Sequence, residues 1–227
     1  MIETVQQELK DLLGGRFDKL ESPSLRLEKI MRYEKKAMTQ ELEDICRTIN
    51  LYGKKTQPKK SFSPRSLQFQ MRSGARMMIN QSGSILNLSI LIHRHYGCPC
   101  IPGSALKGVT RHYVTENELL PDTEVERLFG EQDSAGIVAF HEAFPANTLW
   151  KMVVDVLTNH HGCDTKNPLP ITFPALEKGV VFSFSLSPLS ACSDEDLKTV
   201  AHFLKEALKN YGVGAKTSAG YGYFREV

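Results

Sequence analysis

From Ile45 to Thr115 the chain contains no aspartate and no glutamate. That stretch carries eleven cations: Arg47, Lys54, Lys55, Lys59, Lys60, Arg65, Arg72, Arg76, Arg94, Lys107 and Arg111. A block of one sign repels itself unless a polyanion neutralises it, so it reads as a polyanion-binding face, with RNA or DNA as the matching partner. The competing account is a solvated surface against which acids fold from elsewhere. Such acids exist, because Glu116 to Glu206 holds fifteen of them against six bases. The formal net charge of +2 conceals this segregation.

Other absences set bounds. Five cysteines, an odd number at irregular spacing, argue against a disulfide framework. No run approaches the roughly twenty apolar residues of a membrane span, so no membrane partner is expected. The opening Met1 to Leu13 has the pattern of an amphipathic segment and not of a signal peptide, and the expected location is cytoplasmic. With 41% hydrophobic residues in 227, there is enough apolar material for one large domain or a domain with an appendage.

Residues 2–50 read as helical, broken near Pro23, with Leu27, Ile30, Met38, Leu42, Ile45 and Ile49 mostly at three- and four-residue steps. Gly53 to Ser61 reads as a basic linker. The alternation Leu67-Gln68-Phe69-Gln70-Met71-Arg72 predicts a half-buried strand with Arg72 on its polar face. Ile90-Leu91-Ile92 reads as a second short strand. Pro102-Gly103-Ser104 opens a helix with Ser104 as its cap, an apolar stripe at Leu106, Val109 and Tyr113, and Lys107 and Arg111 on one face. Residues 137–144, 150–157 and 179–186 read as strands. An irregular insertion, His160 to Pro170, falls between the last two. Ser193-x-x-Asp196 predicts a capping-box start for the next helix. The order fits a ferredoxin-like α+β sandwich, preceded by an N-terminal helical extension and basic linker over 1–62, with the sandwich over 63–227.

Tyr211 to Glu226 sets four glycines, Gly212, Gly214, Gly220 and Gly222, around Lys216 and then enters an aromatic strand. Glycine permits positive φ and close backbone approach, and successive N–H groups in such a loop form a concave donor surface for anions. A phosphate is the matching ligand, and a plain terminal turn is the alternative.

Ile101-Pro102-Gly103-Ser104-Ala105-Leu106-Lys107-Gly108 and Gly214-x5-Gly220-Tyr221-Gly222 stand in order about a hundred residues apart. Together they resemble the helix start and the glycine-rich loop of the RAMP superfamily of CRISPR-associated RNA-binding proteins. Tyr96 to Cys100, Ala139 to Pro145 and Asp155-x4-His160-His161 are similar to the branch that forms the sixth subunit of the Cmr, type III-B, effector. The resemblance covers about residues 66 to 226. It implies a ferredoxin-like RAMP fold and a non-catalytic subunit at one end of a backbone of paralogous subunits. That subunit binds guide RNA and helps position target RNA. Carried onto this chain, the RNA-contacting positions are Gly103, Ser104, Lys107 and Arg111 at the helix, and Gly214, Lys216, Gly220 and Gly222 in the loop. Lys54, Lys55, Arg72 and Arg76 join them from the basic block. These are expected to touch phosphate and ribose, because a guide-bearing protein must accept any spacer sequence. Ala105 stands where the family often has serine, and Glu142 where it often has aspartate.

Cleaving paralogues use an aspartate in the loop after the first strand, and Ser73 to Ser84 has no acid here. Histidine can deprotonate a 2′-hydroxyl, so a metal-independent CRISPR-transcript endoribonuclease using His93, His95 or His112 is the alternative function. A ferredoxin-like RNA-binding module outside CRISPR is another. His93-x-His95-x2-Cys98-x-Cys100 has a superficial zinc pattern, but Pro99 stiffens the turn between the cysteines. No metal or other cofactor is expected.

Overall fold

The computed structural model describes residues 35–54, 58, 63–79, 91–159, 169–189 and 191–227. In chain order its elements are α1 (Lys35–Tyr52), β1 (Leu67–Ser73), α2 (Gly103–Glu116), α3 (Asp122–Phe129), β2 (Val138–Phe140) and β3 (Phe144–Pro145). Then follow β4 (Met152–Asn159), β5 (Leu169–Leu176), β6 (Val181–Pro188), α4 (Asp194–Asn210), a single 3-10 turn at Thr217–Ala219, and β7 (Phe224–Glu226). Helices and antiparallel strands share the chain, an α+β architecture.

Alternation in β1 turns Leu67, Phe69 and Met71 to one side and Gln68, Gln70 and Arg72 to the other. The strand lies inside an antiparallel sheet of order β2-β6-β1-β7, with β3 also paired to β6. Register runs from Leu67↔Leu186 to Arg72↔Val181, which sets Phe69 opposite Phe184 with rings stacked at 5.3 Å. Phe224 stands edge-on to Phe182 and Phe184 at 5.9 and 5.6 Å. Helix α4 covers this apolar side through Leu197, Val200, Leu204 and Leu208, and packs on α2. Each such side chain contributes about 1.5–3 kcal/mol of burial free energy. The capping box expected at Ser193 is present: Asp196 N–H donates to Ser193 Oγ at 3.1 Å, and Ser193 N–H to Asp196 Oδ2 at 2.9 Å.

Strands β4 and β5 form a separate hairpin, joined to the rest by Met77, whose N–H and carbonyl both bond Leu176 (3.0 and 2.8 Å). Helix α1 packs on β4, and its Leu42, Ile45 and Ile49 are buried in the same core as Trp150 and Met71. Asn50 closes the strand's free edge: its Nδ2 donates to the Met152 carbonyl (2.9 Å) and its Oδ1 accepts from Met152 N–H (2.7 Å).

Several expectations change. Residues 169–170, read as insertion, begin β5. Met152 turns its backbone groups to Asn50, so Val153, Asp155, Leu157 and Asn159 are the β4 residues whose backbone faces β5. Pro170 and Pro174 oppose Thr158 and Val154, so their missing N–H groups fall on the far edge, where proline is tolerated. Ser104 is not the cap of α2. Pro102 occupies that position without a side-chain bond, and its carbonyl accepts from Ala105 and Leu106. The strand read over 137–144 divides, because Ala143 leaves β6 to exchange both backbone bonds with Ile101 at 2.9 Å. Of the strand read at 90–92, Ile90 lies outside the described residues, and Ile92 makes one bridge to Pro99. Helix α3 was not expected. Residues 2–34, most of the basic linker and the His160–Pro168 part of the insertion lie outside the described residues. Among those described, no helix is long and apolar enough to cross a membrane.

Candidate nucleic-acid interface

The glycine loop is sewn to residues 76–78 by backbone bonds: Gly222 N–H to the Arg76 carbonyl (2.8 Å) and Ala215 N–H to that of Met78 (2.7 Å). Across the loop, Val213 N–H donates to the Gly222 carbonyl (2.9 Å). Gly214 (φ +103°) and Gly222 (φ +77°) are obligatory here, since a Cβ would strike the Met78 and Val213 carbonyls respectively. Gly220 also has positive φ, but a Cβ there would meet nothing within 4 Å. Lys216 takes φ +64°, a conformation lysine rarely adopts, and lays its ammonium 5.0 Å over the Phe173 ring.

Beneath the loop runs a polar chain. Tyr221 OH donates to Asp155 Oδ2 at 2.5 Å, Arg76 pairs with Asp155 at 2.8 Å, and Arg76 also reaches Glu177 at 3.2 Å. Burial pushes the Asp155 carboxyl up, but the hydrogen bonds from Tyr221 and Arg76 outweigh it and hold the group below the ordinary value. Burial and the bond to Asp155 push the Tyr221 phenol up to about 12, so it stays a donor.

The helix start and the glycine loop meet. Ser104, Ala105, Val109 and His112 on α2 face Tyr211 to Ala215 and Thr217 across an open groove of about 790 Å³, bounded also by Ile79, Leu91 and Pro102. Lys107 and Arg111 are not on that flank. Lys107 lies about 140° round the helix from His112, and Arg111 Nη1 donates to the Gly130 carbonyl at 3.1 Å. Gly103 has a packing duty, because a Cβ would strike the Phe140 carbonyl of β2.

The basic block divides. Acids have folded against Arg47 (Asp44, 3.1 Å), Arg65 (Asp194, 3.0 Å) and Arg76. Among the described residues, Lys54, Arg72, Lys107, Arg111 and Lys216 have no carboxylate partner; Lys54 sits 5.7 Å over the Trp150 ring. Lys55 lies outside the described residues. Arg72, whose Nη1 reaches the Gly179 carbonyl at 3.4 Å, stands directly opposite Arg225 on β7. Like charges in register repel, so this pair favours an anion on the outer face of the sheet. Arg225 was missed because only strand register reveals its neighbour.

His93 and His95 stay together, their ring centroids 5.7 Å apart, and His112 stands apart from them. His93 stacks on Tyr96 (4.6 Å), and its Nδ1 accepts from the His95 and Tyr96 amides, whereas His112 lines the groove. Cys98 and Cys100 are buried, and burial pushes the Cys98 thiol up to about 12. Among the described residues no three His, Cys, Asp or Glu side chains gather as a metal site.

The two segments that carry the sequence resemblance, the proline–glycine helix start and the glycine loop, share one groove of an α+β domain. The chain belongs to the RAMP superfamily, whose model matches residues 28–225. It is 28% identical to the CRISPR system Cmr subunit Cmr6 of Pyrococcus furiosus, over 61% of this chain and 61% of that protein. To the Cmr6 subunit of Saccharolobus solfataricus it is 27% identical, over 73% of this chain and 59% of the relative. The chain thus spans about six-tenths of the length of these curated relatives. In fold it is similar to a chain of the type III-B Cmr-beta complex bound to cognate target RNA (TM-score 0.60, 20% identity, 96% of this chain and 88% of that one). It is also similar to crystalline Cmr6 of Pyrococcus furiosus (TM-score 0.52, 24% identity, 74% of this chain and 100% of that one).

Proposed function

We propose that the protein is a non-catalytic guide-RNA-binding and assembly subunit at one end of the backbone of a type III-B CRISPR effector complex, where it helps position target RNA. The observation that carries the reading is the meeting of the two motif segments, Ser104–His112 and Tyr211–Thr217, across one groove. Its partners are guide RNA, target RNA and paralogous RAMP subunits, and it works in the cytoplasm. The fold is read as ferredoxin-like: β1-α2-β2-β6-α4-β7 with sheet order β2-β6-β1-β7 matches that pattern once α1, α3, β3 and the β4–β5 hairpin are set aside as additions. The division proposed is a RAMP domain over 63–227 with 1–62 as its extension; residues 28–62 of that extension fall within the family match, and α1 is built into the domain's core.

Phosphate contacts come from the cations left without carboxylates: Lys54, Arg72, Lys107, Arg111 and Lys216, with Arg225 beside Arg72. Lys55 belongs to the same basic segment. Gly103, Gly214 and Gly222 shape the backbone, Ser104 lines the groove, and Gly220 leaves open space for a strand to approach. Arg76 acts from beneath, bracing Asp155. The test is binding of labelled single-stranded RNA at graded salt. Log affinity should fall with log salt by about 0.7 per phosphate contact, and Lys107→Ala or Lys216→Ala should each remove about one contact. Affinity indifferent to salt would refute the polyanion face. Discrete cleavage of repeat RNA in EDTA, abolished by changing His93, His95 or His112, would establish the endoribonuclease instead.

A further inference from the structure

The groove between α2 and the glycine loop is not lined as a phosphate site. Among the described residues its walls hold no lysine, arginine, aspartate or glutamate. The loop's own cation, Lys216, is laid over Phe173 on the hairpin. Ile79, Leu91, Ala105, Val109 and Val213 make the surface apolar, and a desolvated phosphate would gain little there. A flat uncharged group would gain.

At the groove's edge two rings form a corner. His112 and Tyr211 stand at 90° with centroids 5.3 Å apart. Tyr211 is fixed: its hydroxyl accepts from Asn117 Nδ2 at 3.1 Å, and its ring meets Tyr113 edge-on at 5.5 Å. His112 is exposed and, among the described residues, makes no side-chain hydrogen bond.

We propose that this groove takes one unstacked nucleobase of single-stranded RNA, laid on the His112 ring with Val109 and Val213 as apolar backing. The inference rests on the RNA-binding reading above and assigns the part of the RNA that the groove holds. Two features select a base over a partner protein's side chain. Ser104 and Thr217 border the apolar surface, and their hydroxyls can bond a base edge or a ribose. Among the described residues no carboxylate of the lining repels a nucleic acid. Stacking suits a guide-bearing protein because every base has a π face, so the site accepts any sequence.

The experiment compares the full chain with His112→Ala and His112→Phe, against a labelled single-stranded RNA and a fully abasic ribose-phosphate strand of equal length. Wild type should bind the RNA about five- to a hundredfold more tightly than the abasic strand. His112→Ala should lose most of that preference while keeping its affinity for the abasic strand and its salt slope, and His112→Phe should retain the preference. If His112→Ala loses affinity equally for both strands, the ring acts on the backbone and the proposal fails. It fails also if His112→Ala binds both strands as wild type does. Unchanged RNA binding with lost assembly onto neighbouring subunits would make the groove a protein socket and overturn it. Wild type that binds neither strand at low salt would overturn the RNA-binding reading itself, a result visible before any variant is made.

Discussion

Asp155 anchors the glycine loop to the β4–β5 hairpin, and Asp155→Ala tests that anchor. Its side chain is 14% exposed, accepts from Tyr221 at 2.5 Å and pairs with Arg76 at 2.8 Å. A hydrogen bond to a charged acceptor contributes about 1.5–3 kcal/mol. The Arg76 pair, with its arginine 41% exposed, adds no more than about 1 kcal/mol. The variant should therefore lose about 2–3 kcal/mol, a drop in Tm of roughly 5–10 °C for a chain of this size. Tyr221→Phe removes only the hydrogen bond, about 1.5 kcal/mol. The double variant should be scarcely less stable than Asp155→Ala alone, a coupling of about 1.5 kcal/mol. Because the Asp155 carboxyl is held below the usual value of 3.8, its contribution is complete above that pH and drains away below it. Thermal melts of the four proteins at pH 7, and of wild type and Asp155→Ala down to pH 3, supply the measurement. Strictly additive losses, or a gap between the two that does not narrow in acid, would refute the anchor.

Gly214→Ala and Gly222→Ala should each cost on the order of 3 kcal/mol or more, because both strain φ and drive a methyl into a carbonyl; Gly220→Val should cost only about 1–2 kcal/mol of backbone strain, read by chemical denaturation. Asn50→Ala should leave the Met152 N–H and carbonyl without their bracket, lowering stability by about 1–3 kcal/mol and speeding amide exchange along β4. Arg127 first, then the Ser193 amide and hydroxyl, hold the Asp196 carboxyl far below its usual value against the opposing effect of burial, so Asp196→Ala should cost about 1–2 kcal/mol at neutral pH and progressively less below pH 4, followed by thermal melts.

Local pattern alone announced the parts of this protein whose physics is local. The period of two in β1, the Ser193–Asp196 box and the helix it opens depend on near neighbours, and each formed where the pattern said. Glycine density around Lys216 marked the loop. Helix α3 went unseen because eight residues carry too short a period to separate from a charged loop. The prolines of β5 looked like loop because proline is compatible with a strand only when its missing N–H falls on the unpaired edge, and strand pairing decides which edge that is. The same holds for the site. Sequence named Ser104, Lys107, Gly214 and Lys216, but only the packing of α2 against the loop determined that Ser104 faces Gly214 while Lys107 turns to another flank. Charge segregation identified the basic block; folding then determined that Arg65 was claimed by Asp194 and Arg76 by Asp155 and Glu177, while Arg72 kept no carboxylate among the described residues. Such pairs are contacts between distant segments, and no count of charges along a chain contains them.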